Sequence, residues 1–576
     1  MTPSMTRREL LGTAAGVTMI AAARAGSPAI PVIRSGRAIP EVLDRFIRDY
    51  LSAMDAPGMI LALADAQGPI ATASYGWSDL AARTPVTLAQ RFQIGSITKS
   101  FAAIVVLQLQ QEGRLRVQDS IFRHLPWLPA EAGFGDITLH HLLTHTSGMP
   151  EGHPVFPISS ALRPRQSRPP GTGFHYSNWA YEVLGYLIEA LDGVSFAESV
   201  RRRILEPLGM RDTVAAISTK ERAREVRSYV PMLQDRPFVR GAALVPAPLL
   251  DMLEASGCIA ATAADMAAYG SMLVRRGAGD HGRVLSTESF DLLASPHVQA
   301  AEFGPGAAYG YGLAVDQLDG HRRLRHTGGM VSFMSALQVD LDAGLCVFAS
   351  VNAQLGYRPN AVAEYALRVL RAAAEHRPAP IPPSHDEKTR VEDAKGYAGD
   401  YRAADGHAVS VVAKQGGLSL RQQGRSWMLQ NVADDAFAID DPAWMPFLLK
   451  FNRQPASQAT GTPPVIELSH GERSFWRDGA SQAVAPDTNL SAYTGTWHCD
   501  DPWRGTLRVI QRQGRLWMEA EGDTALDPAG PGIFRLADEP LSPETCEFSQ
   551  AVDGHARLLV YGGMAYRRLG GVDWPG

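Results

Sequence analysis

Lysine is scarce in this chain. The 576 residues include 55 lysines and arginines, but only six of these are lysine: Lys99, Lys220, Lys388, Lys395, Lys414 and Lys450. A lysine amine, unlike a guanidinium, can lose its proton near neutral pH when it is buried. Lys99 is also the only lysine that follows a serine by three residues, in the stretch FQIGSITKSF, so it is the first candidate for chemistry.

Metal-binding patterns are missing from the sequence. The four cysteines form no C-x-x-C pair, and no group of histidines has metal-ligand spacing. We therefore expect neither a metal site nor an organic cofactor. Cys499 and Cys546 fall in one late segment, where either a disulfide or two buried free thiols would fit.

An excess of positive charge is also missing. The formal net charge is -5, with 45% hydrophobic and 20% charged residues, and we find no basic patch with interleaved aromatics. These values are typical of a soluble globular protein and exclude an electrostatic case for nucleic-acid binding. The length exceeds that of one ordinary core and predicts two or three domains.

The longest apolar run near the N-terminus is too short to span a membrane. Arg7 and Arg8 precede the apolar stretch Leu10–Ala23, and Ala23-Arg24-Ala25 follows as a cleavage site. Paired arginines in this setting are typical of the twin-arginine export route. A membrane anchor, the alternative, requires roughly 20 apolar residues. We expect residues 1–25 to be a signal peptide and the cleaved protein to be periplasmic or secreted, without stable membrane insertion.

The rest of the chain divides at a proline-rich segment. Residues 36–376 read as alternating helices and strands, whereas RPAPIPPS suits a linker, which we place at residues 377–390. Beyond it, short alternating segments repeat, beginning once at Tyr397 and again at Tyr493. The repeat predicts two small antiparallel β-barrel domains, at residues 391–480 and 488–576.

The spacing around Ser96 predicts a nucleophile with its base. Apolar residues recur at helical spacing from Ile97 until Gly113, so Ser96 should begin a helix and Lys99 should lie one turn later. Burial in that apolar run would lower the pKa of Lys99, and the neutral amine could take the proton of Ser96. The alternative is a helix-capping serine beside a solvated lysine.

Two later stretches favour the catalytic interpretation. In PGTGFHYSNWAYEVLG, the Tyr176 phenol could be held as an anion or could relay a proton, and Asn178 could orient Lys99 or bind an acyl amide. Their alternative roles are packing and helix capping. In LRHTGGMVSF, the small residues after His326 permit a substrate to approach along a strand edge, although a hairpin turn would also fit.

Together these motifs resemble the serine β-lactamase and penicillin-binding-protein superfamily, and most closely the D-aminopeptidases and related esterases. The text LLTHTSGMP and LEPLGMRDT also matches, and the resemblance covers about residues 38 to 372. It implies an α/β fold, with a β-lactamase-like catalytic domain in which helices flank an antiparallel sheet. The two β-barrel domains would follow, as in the D-aminopeptidases.

The resemblance also implies roles for individual residues. Ser96 would be the acylated nucleophile, Lys99 its base and Tyr176 the proton relay. Substrate-binding residues would be Asn178, His326, Gly328 and Gly329, and the N–H groups of Ser96 and Gly329 would form the oxyanion hole. His145 lies in LLTHTSGMP, which also matches the family's sequence pattern, but we interpret this histidine as part of the scaffold.

One departure shapes the expected substrate. Classical relatives carry lysine at the position of His326, where it binds a substrate carboxylate, and histidine is a weaker, pH-dependent cation. We therefore predict a D-stereospecific aminopeptidase, peptidase or amidase acting on a small peptide, amide or ester. The alternatives are a carboxylesterase or weak β-lactamase on the same scaffold. A non-hydrolytic penicillin-binding or cell-wall-binding protein should lack a relay residue, and none is missing here.

Overall fold

The protein is described here from a computed structural model. The structure describes residues 39–128, 137–152, 169–239, 241–354, 359–383, 391, 393–414, 417–454, 463–477, 489–503, 505–519, 523–537 and 542–570. The predicted signal peptide at residues 1–25 lies outside this part of the chain. So do residues 384–390 of the predicted linker.

Ten α-helices belong to the N-terminal domain of the described chain. They are α1 (Glu41–Met54), α2 (Thr98–Gln111), α3 (Ile121–His124), α4 (Leu139–Leu143), α5 (Asn178–Asp192), α6 (Phe196–Val200), α7 (Glu206–Leu208), α8 (Ala263–Val274), α9 (Thr287–Leu293) and α10 (Asn360–Ala374). Short 3₁₀ turns lie at Gly95–Ile97, Thr219–Arg224 and Ala301–Phe303, and one π-helical turn lies at Arg201–Leu205.

Fifteen strands of this domain are described. They are β1 (Gly58–Asp65), β2 (Gly68–Asp79), β3 (Thr84–Pro85), β4 (Phe92–Gln93), β5 (Tyr229–Pro231), β6 (Leu244–Pro246), β7 (Ala260–Ala261), β8 (Ala278–Gly279), β9 (Gly282–Arg283), β10 (Val298–Gln299), β11 (Ala308–Tyr309), β12 (Ala314–Leu318), β13 (His321–Met330), β14 (Phe333–Asp340) and β15 (Leu345–Val351). Nine of them form one antiparallel sheet in the order β10-β11-β12-β13-β14-β15-β1-β2-β3.

Helices cover both faces of this sheet. In β1, alternate residues enter two different cores: Leu61 packs in the core that contains α1 and α10, and Ala62 packs in the core that contains α2, α5 and α8. A strand buried on both faces reads as a continuous apolar run rather than an alternating one, which explains the sequence GMILALAD. The helix-flanked antiparallel sheet predicted from the sequence is therefore confirmed.

The first C-terminal module begins with helix α11 (Ala394–Tyr397). Its strands are β16 (Gly399–Ala403), β17 (Ala408–Lys414), β18 (Gly417–Gln422), β19 (Arg425–Met428), β20 (Gln430–Ala433), β21 (Ala436–Ala438), β22 (Leu449–Arg453), β23 (Val465–His470) and β24 (Arg473–Arg477). The order β19-β18-β17-β16-β24-β23-β22-β21-β20 places β19 and β20 at opposite edges. Only Leu429 separates these two strands in the chain, so the sheet curls back on itself as a barrel.

The second C-terminal module is a closed eight-stranded barrel. After a 3₁₀ turn at Leu490–Ala492, its strands follow in chain order: β25 (Gly495–His498), β26 (Thr506–Arg512), β27 (Arg515–Glu519), β28 (Asp523–Gly530), β29 (Ile533–Leu536), β30 (Cys546–Ser549), β31 (Leu558–Tyr561) and β32 (Met564–Gly570). Two antiparallel barrel modules thus follow the α/β domain, as the fold prediction required.

The two modules share one structural signature. In the first, Arg477 pairs across the sheet with the fully buried Tyr401 and donates to the carbonyl of Ala398. In the second, Arg568 pairs with the fully buried Trp497 and donates to the carbonyl of Thr494. The repeated Tyr-x-Gly-x-aromatic text therefore corresponds to a first strand that is closed by an arginine of the last strand.

Two further predictions concern single features of the fold. All four cysteines are buried free thiols, so Cys499 and Cys546 form no disulfide. Within the described chain, no helix is both long enough and apolar enough to cross a bilayer.

Candidate active site

Ser96 lies in a 3₁₀ turn that leads directly into α2. The turn spans Gly95–Ile97, and Lys99 lies in the first turn of the helix. Gly95 has a φ of +52°, and an added Cβ would lie 2.6 Å from the carbonyl oxygen of Gly329. Glycine is thus required here both for the left-handed backbone and for the close approach of strand β13.

The Lys99 amine is held by three protein oxygens. Its Nζ lies 3.1 Å from Ser96 Oγ, 2.7 Å from Asn178 Oδ1 and 2.9 Å from the carbonyl oxygen of Ser256. The side chain has no solvent exposure. The alternative of a solvated lysine is therefore wrong, because the amine is buried against the hydroxyl that it would deprotonate.

Burial also changes the acidity of this amine. Desolvation lowers the pKa of Lys99 to about 7, although the charges of Glu182 and Glu151 act in the opposite direction. A large fraction of the amine is therefore neutral at pH 7 and has a free lone pair. Such an amine can accept the Ser96 proton within hydrogen-bond distance.

Tyr176 packs beside the same two residues. Its ring centroid lies 4.9 Å from Lys99 Nζ and 4.4 Å from the ring of His145. Burial raises the pKa of Tyr176, and this outweighs the opposing hydrogen bond with Ser96. Burial therefore favours the protonated phenol over the phenolate, and a protonated phenol is able to donate a proton.

Asn178 begins helix α5 and orients the lysine. Its Oδ1 accepts from Lys99, its Nδ2 donates to the carbonyl of Gly152 at 3.3 Å, and its backbone N–H donates to the carbonyl of Glu151 at 2.7 Å. Ser177 caps the same helix by accepting from the N–H of Ala180. The helix cap and the orientation of Lys99, posed as alternatives, both occur.

His326 lies beside the site as a neutral ring. Its Nδ1 is 2.5 Å from the carbonyl of Thr327, so Nδ1–H donates and Nε2 accepts from the Tyr309 hydroxyl at 3.0 Å. Burial and the charge of Lys99 lower the pKa of His326 to about 3. Burial thus disfavours the pH-dependent cation expected at this position, although the hydrogen bond to Thr327 acts in the opposite direction.

The glycines after His326 bring strand β13 onto the serine turn. A Cβ at Gly328 would lie 1.8 Å from the carbonyl oxygen of Ile94, and Gly329 packs against Gly95. Pairing of β12 with β13 ends at Arg325, so β13 runs past β12 beside Ser96. This leaves an edge of β13 along which an extended substrate can lie. The oxyanion hole formed by the N–H groups of Ser96 and Gly329 stays a prediction.

A cavity of about 550 Å³ opens beside Tyr176. Its lining comes from both the α/β domain and the second barrel: Glu151, His175, Tyr176, Glu302, Phe303, Arg325, Thr327, Asn360, Leu536, Glu544 and Tyr561. A larger cavity of about 890 Å³ lies beyond Phe303 and Arg325 and contains none of the predicted site residues. The smaller cavity is therefore the candidate substrate site.

The second barrel is bonded to the site through one carboxylate. Glu544 Oε1 accepts from the backbone N–H of Glu151 at 2.6 Å, and the Glu151 carbonyl accepts from the N–H of Asn178. No sequence motif marked Glu544, Glu151 or Glu302, because their proximity depends on how the barrel docks. The residues on either side of Tyr176-Ser177-Asn178 also contain no pattern that predicts these three glutamates at the site.

His145 takes the structural place that was predicted for it. It is fully buried and lies within about 5 Å of the rings of Tyr176, Tyr181 and Tyr309, while its Nδ1 accepts from the N–H of Ser177. It therefore packs against the three tyrosine rings and helps to hold them in place. Within the described residues, no group of His, Cys, Asp and Glu could hold a metal ion.

The helix-flanked sheet, with Ser96, Lys99 and Tyr176 gathered at the start of α2, indicates a protein of the serine hydrolase class. Residues 43–372 match the family model described as Beta-lactamase, which is more than half of the chain. The chain therefore belongs to the Beta-lactamase family, within the superfamily of serine β-lactamases and penicillin-binding proteins. The resemblance drawn from the motifs is confirmed.

Several known proteins are similar to this chain. Penicillin-binding protein 4* of Bacillus subtilis is 23% identical over 61% of this chain and 81% of that protein. Penicillin-binding protein 4 of Amycolatopsis lactamdurans is 29% identical over 45% of this chain and 71% of that protein. The unguisins hydrolase of Aspergillus campestris is 27% identical over 55% of this chain and 62% of that protein.

A solved structure shares the fold. The octameric penicillin-binding protein homologue from Pyrococcus abyssi aligns with a TM-score of 0.54 and 24% sequence identity. The alignment covers 76% of this chain and 99% of that chain. The match therefore extends beyond the α/β domain into the C-terminal part.

Proposed function

We propose that this protein is an exported D-stereospecific aminopeptidase or amidase that forms an acyl-enzyme at Ser96. The observation that carries the proposal is the acidic cavity beside Tyr176. Glu151, Glu302 and Glu544 line this space, and clustered negative charge attracts the ammonium group of a substrate.

The proposed chemistry has two half-reactions. Neutral Lys99 takes the proton from Ser96 Oγ while Oγ attacks the substrate carbonyl, and the N–H groups of Ser96 and Gly329 stabilise the oxyanion. Tyr176 then gives its proton to the leaving amine and recovers one from Lys99. Water, deprotonated through the same groups, attacks the acyl carbon and releases the acid and free Ser96.

The cavity suits an ammonium better than a carboxylate. Arg325 is the one lysine or arginine among the described residues that line it. Its guanidinium is already bound to Asp316 and to the carbonyl of Phe303. With His326 neutral as well, a β-lactam or a free C-terminal carboxylate would find no free guanidinium or ammonium group among the described lining residues.

Two further observations support the proposal. The similarity to penicillin-binding proteins and to a hydrolase of unguisins agrees with acyl transfer at an amide-like bond. The paired Arg7 and Arg8 before a short apolar stretch support export by the twin-arginine route. The cleaved protein would then act in the periplasm or outside the cell.

The test compares kcat/KM for D-alanine p-nitroanilide, its L-isomer, its N-acetylated form and p-nitrophenyl butyrate, with Ser96→Ala as the blank. We expect the free D-amine to be preferred. Glu544→Gln should lower kcat/KM for that substrate about tenfold, since a hydrogen bond to a charged group contributes roughly 1.5–3 kcal/mol. The glutamine oxygen can still accept from the N–H of Glu151.

The N-acetylated substrate is the matched control for this variant. It has no ammonium, so Glu544→Gln should leave its kcat/KM unchanged. Equal losses on both substrates would contradict the ammonium site. Ester cleavage alone, abolished in Ser96→Ala, would keep the nucleophile and assign the enzyme to the carboxylesterases.

A further inference from the structure

A buried carboxyl group lies behind the catalytic lysine and has no part in the chemistry above. Glu182 is 6% exposed and lies on α5, one helical turn after Asn178. Asn178 and Glu182 therefore project from the same face of the helix. A buried carboxyl is costly unless its environment compensates for the charge or holds it neutral, so its position beside Lys99 requires a physical role.

Ser256 connects this carboxyl to the lysine. The Ser256 hydroxyl donates to Glu182 Oε1, and the Ser256 carbonyl oxygen accepts from Lys99 Nζ at 2.9 Å. Ser256 is itself 4% exposed. The amine and the carboxyl are thus bound to two ends of one buried residue, in a region where charges are poorly screened.

The two groups influence each other's protonation. Burial raises the pKa of Glu182 to about 8, while the Ser256 hydrogen bond and the charge of Lys99 oppose the rise. The charge of Glu182 in turn opposes the lowering of the Lys99 pKa. Two interacting groups that titrate so close together lose their protons as a pair, in two macroscopic steps.

Other titratable groups face this pair. The charge of Glu254 also raises the pKa of Glu182, and Glu151 acts on Lys99 from the cavity side. Burial, and after it the charge of Glu182, raises the pKa values of Cys258 and Tyr186, so the thiol and the phenol stay neutral. Lys99 is therefore the cation that responds to ionisation of Glu182.

We propose that Glu182 is a positioning residue that sets the basicity of Lys99 across Ser256. The Ser96 proton moves only to Lys99 Nζ, and no proton passes through Glu182. Ionised Glu182 stabilises the ammonium that this transfer creates and so makes the amine a stronger base. The role rests on the proposed Ser96–Lys99 chemistry, although the protonation of Lys99 can be measured without any substrate.

The scarcity of lysine makes that measurement practical. Protein labelled with ¹³C at the lysine Cε gives signals from six residues, and the signal absent in Lys99→Ala belongs to Lys99. We expect the Lys99 shift to titrate in two steps in the unmodified enzyme. In Glu182→Gln we expect one step. It should lie at least about half a pH unit below the upper step of the unmodified enzyme, because the nearby negative charge is gone.

The kinetic readout is the rate of Ser96 acylation by p-nitrophenyl butyrate across pH. Glu182→Gln should move the acid limb in the same direction as the NMR titration and should lower the plateau rate several-fold, since a weaker base is a poorer proton acceptor. KM should stay the same. A purely structural role would lower the rate without moving the limb.

Two variants complete the test. Glu189→Gln removes another carboxylate from α5 while keeping an oxygen for the N–H of Phe196, and its Lys99 titration should match that of the unmodified enzyme. Ser256→Ala keeps the carbonyl that binds Lys99 but removes the hydroxyl that stabilises ionised Glu182. Its upper step should therefore move to higher pH, and this readout applies even where Glu182→Gln does not fold.

The inference is overturned if Lys99 titrates identically in the unmodified enzyme, Glu182→Gln and Ser256→Ala, or if Glu189→Gln produces the same displacement. It does not depend on which substrate is cleaved. Absence of D-aminopeptidase activity together with a displaced Lys99 titration would reject the proposed function and retain the role of Glu182.

Discussion

Burial of a single amine is the central physical feature at the residue scale. Lys99 is fully enclosed and still bonded to Ser96, Asn178 and Ser256. A charged ammonium pays a desolvation penalty there, which the neutral amine avoids. The same burial lowers its pKa to about 7, which makes the neutral amine available at neutral pH for the proton transfer that we propose.

The pH dependence of acylation follows from that pKa. Below about 7 Lys99 is protonated and cannot accept the Ser96 proton, so kcat/KM should fall about tenfold per pH unit on the acid side. A solvated lysine would place the same limb near pH 10.4. The measurement is the acylation rate of the unmodified enzyme between pH 5 and about 9.

Lys99→Ala is the companion to this profile. Loss of the base should reduce acylation by about 10²–10⁴-fold and should remove the acid limb near pH 7. Circular dichroism and thermal unfolding check that the fold is retained. An acid limb that persists in Lys99→Ala would assign the titration to another group.

At the scale of elements, the site depends on how closely β13 approaches the turn before α2. The approach requires glycine at two facing places, since a Cβ at Gly328 would meet the carbonyl of Ile94 and a Cβ at Gly95 would meet Gly329. From the sequence, the small residues after His326 were predicted to admit a substrate, and the structure shows that they also admit the serine turn. Beyond Arg325, β13 still pairs with β14 but no longer with β12, and this open edge becomes visible only when the register of β12 is known.

Gly328→Ala should disturb this contact. The added methyl would lie 1.8 Å from a backbone oxygen that cannot rotate away, so we expect unfolding to be easier by roughly 1–3 kcal/mol and acylation to be at least about tenfold slower. Denaturant unfolding and burst kinetics measure the two effects.

Gly570→Ala is the matched control for that prediction. Nothing lies within 4 Å of a Cβ at that position, so both properties should stay unchanged. Normal stability and acylation in Gly328→Ala would mean that β13 and the serine turn are further apart than described.

At the scale of the whole molecule, one arginine joins all three modules. Arg508 of the second barrel donates to Asp235 of the α/β domain, with Nη2 3.1 Å from Oδ2, and lies 5.5 Å from the ring centroid of Phe447 in the first barrel. The barrels also meet where Lys450 donates to the carbonyl of Asp523 at 2.9 Å. This docking places Glu544 at the cavity.

Removing the arginine should loosen the docking. Arg508→Ala leaves Asp235 with Arg236 as its remaining ionic partner. The lost pair is buried on the arginine side only, so its removal costs about 1 kcal/mol. We expect the thermal midpoint to fall by about 4 °C or more and KM for an amine substrate to rise. Arg515→Ala breaks an exposed pair with Asp527 and should change neither the thermal midpoint nor KM. Equal effects of the two variants would show that Arg508 does not hold the modules together.

The sequence by itself was sufficient for the features that depend on local order along the chain. The Ser-x-x-Lys spacing predicts a serine and a lysine one helical turn apart, and the repeated Tyr-x-Gly-x-aromatic text predicts two like β modules. Both follow from periodicity and turn chemistry, which act over a few residues. The helix-flanked sheet followed from resemblance of these motifs to a known superfamily.

Only the tertiary structure decided the protonation and surroundings of the site. His326 is neutral because burial and the charge of Lys99 lower its pKa. Glu544 reaches the cavity from nearly 400 residues away in the chain. Desolvation, which governs these pKa values, depends on every group packed around a side chain. Those neighbours are assembled by domain docking, which leaves no local pattern in the sequence.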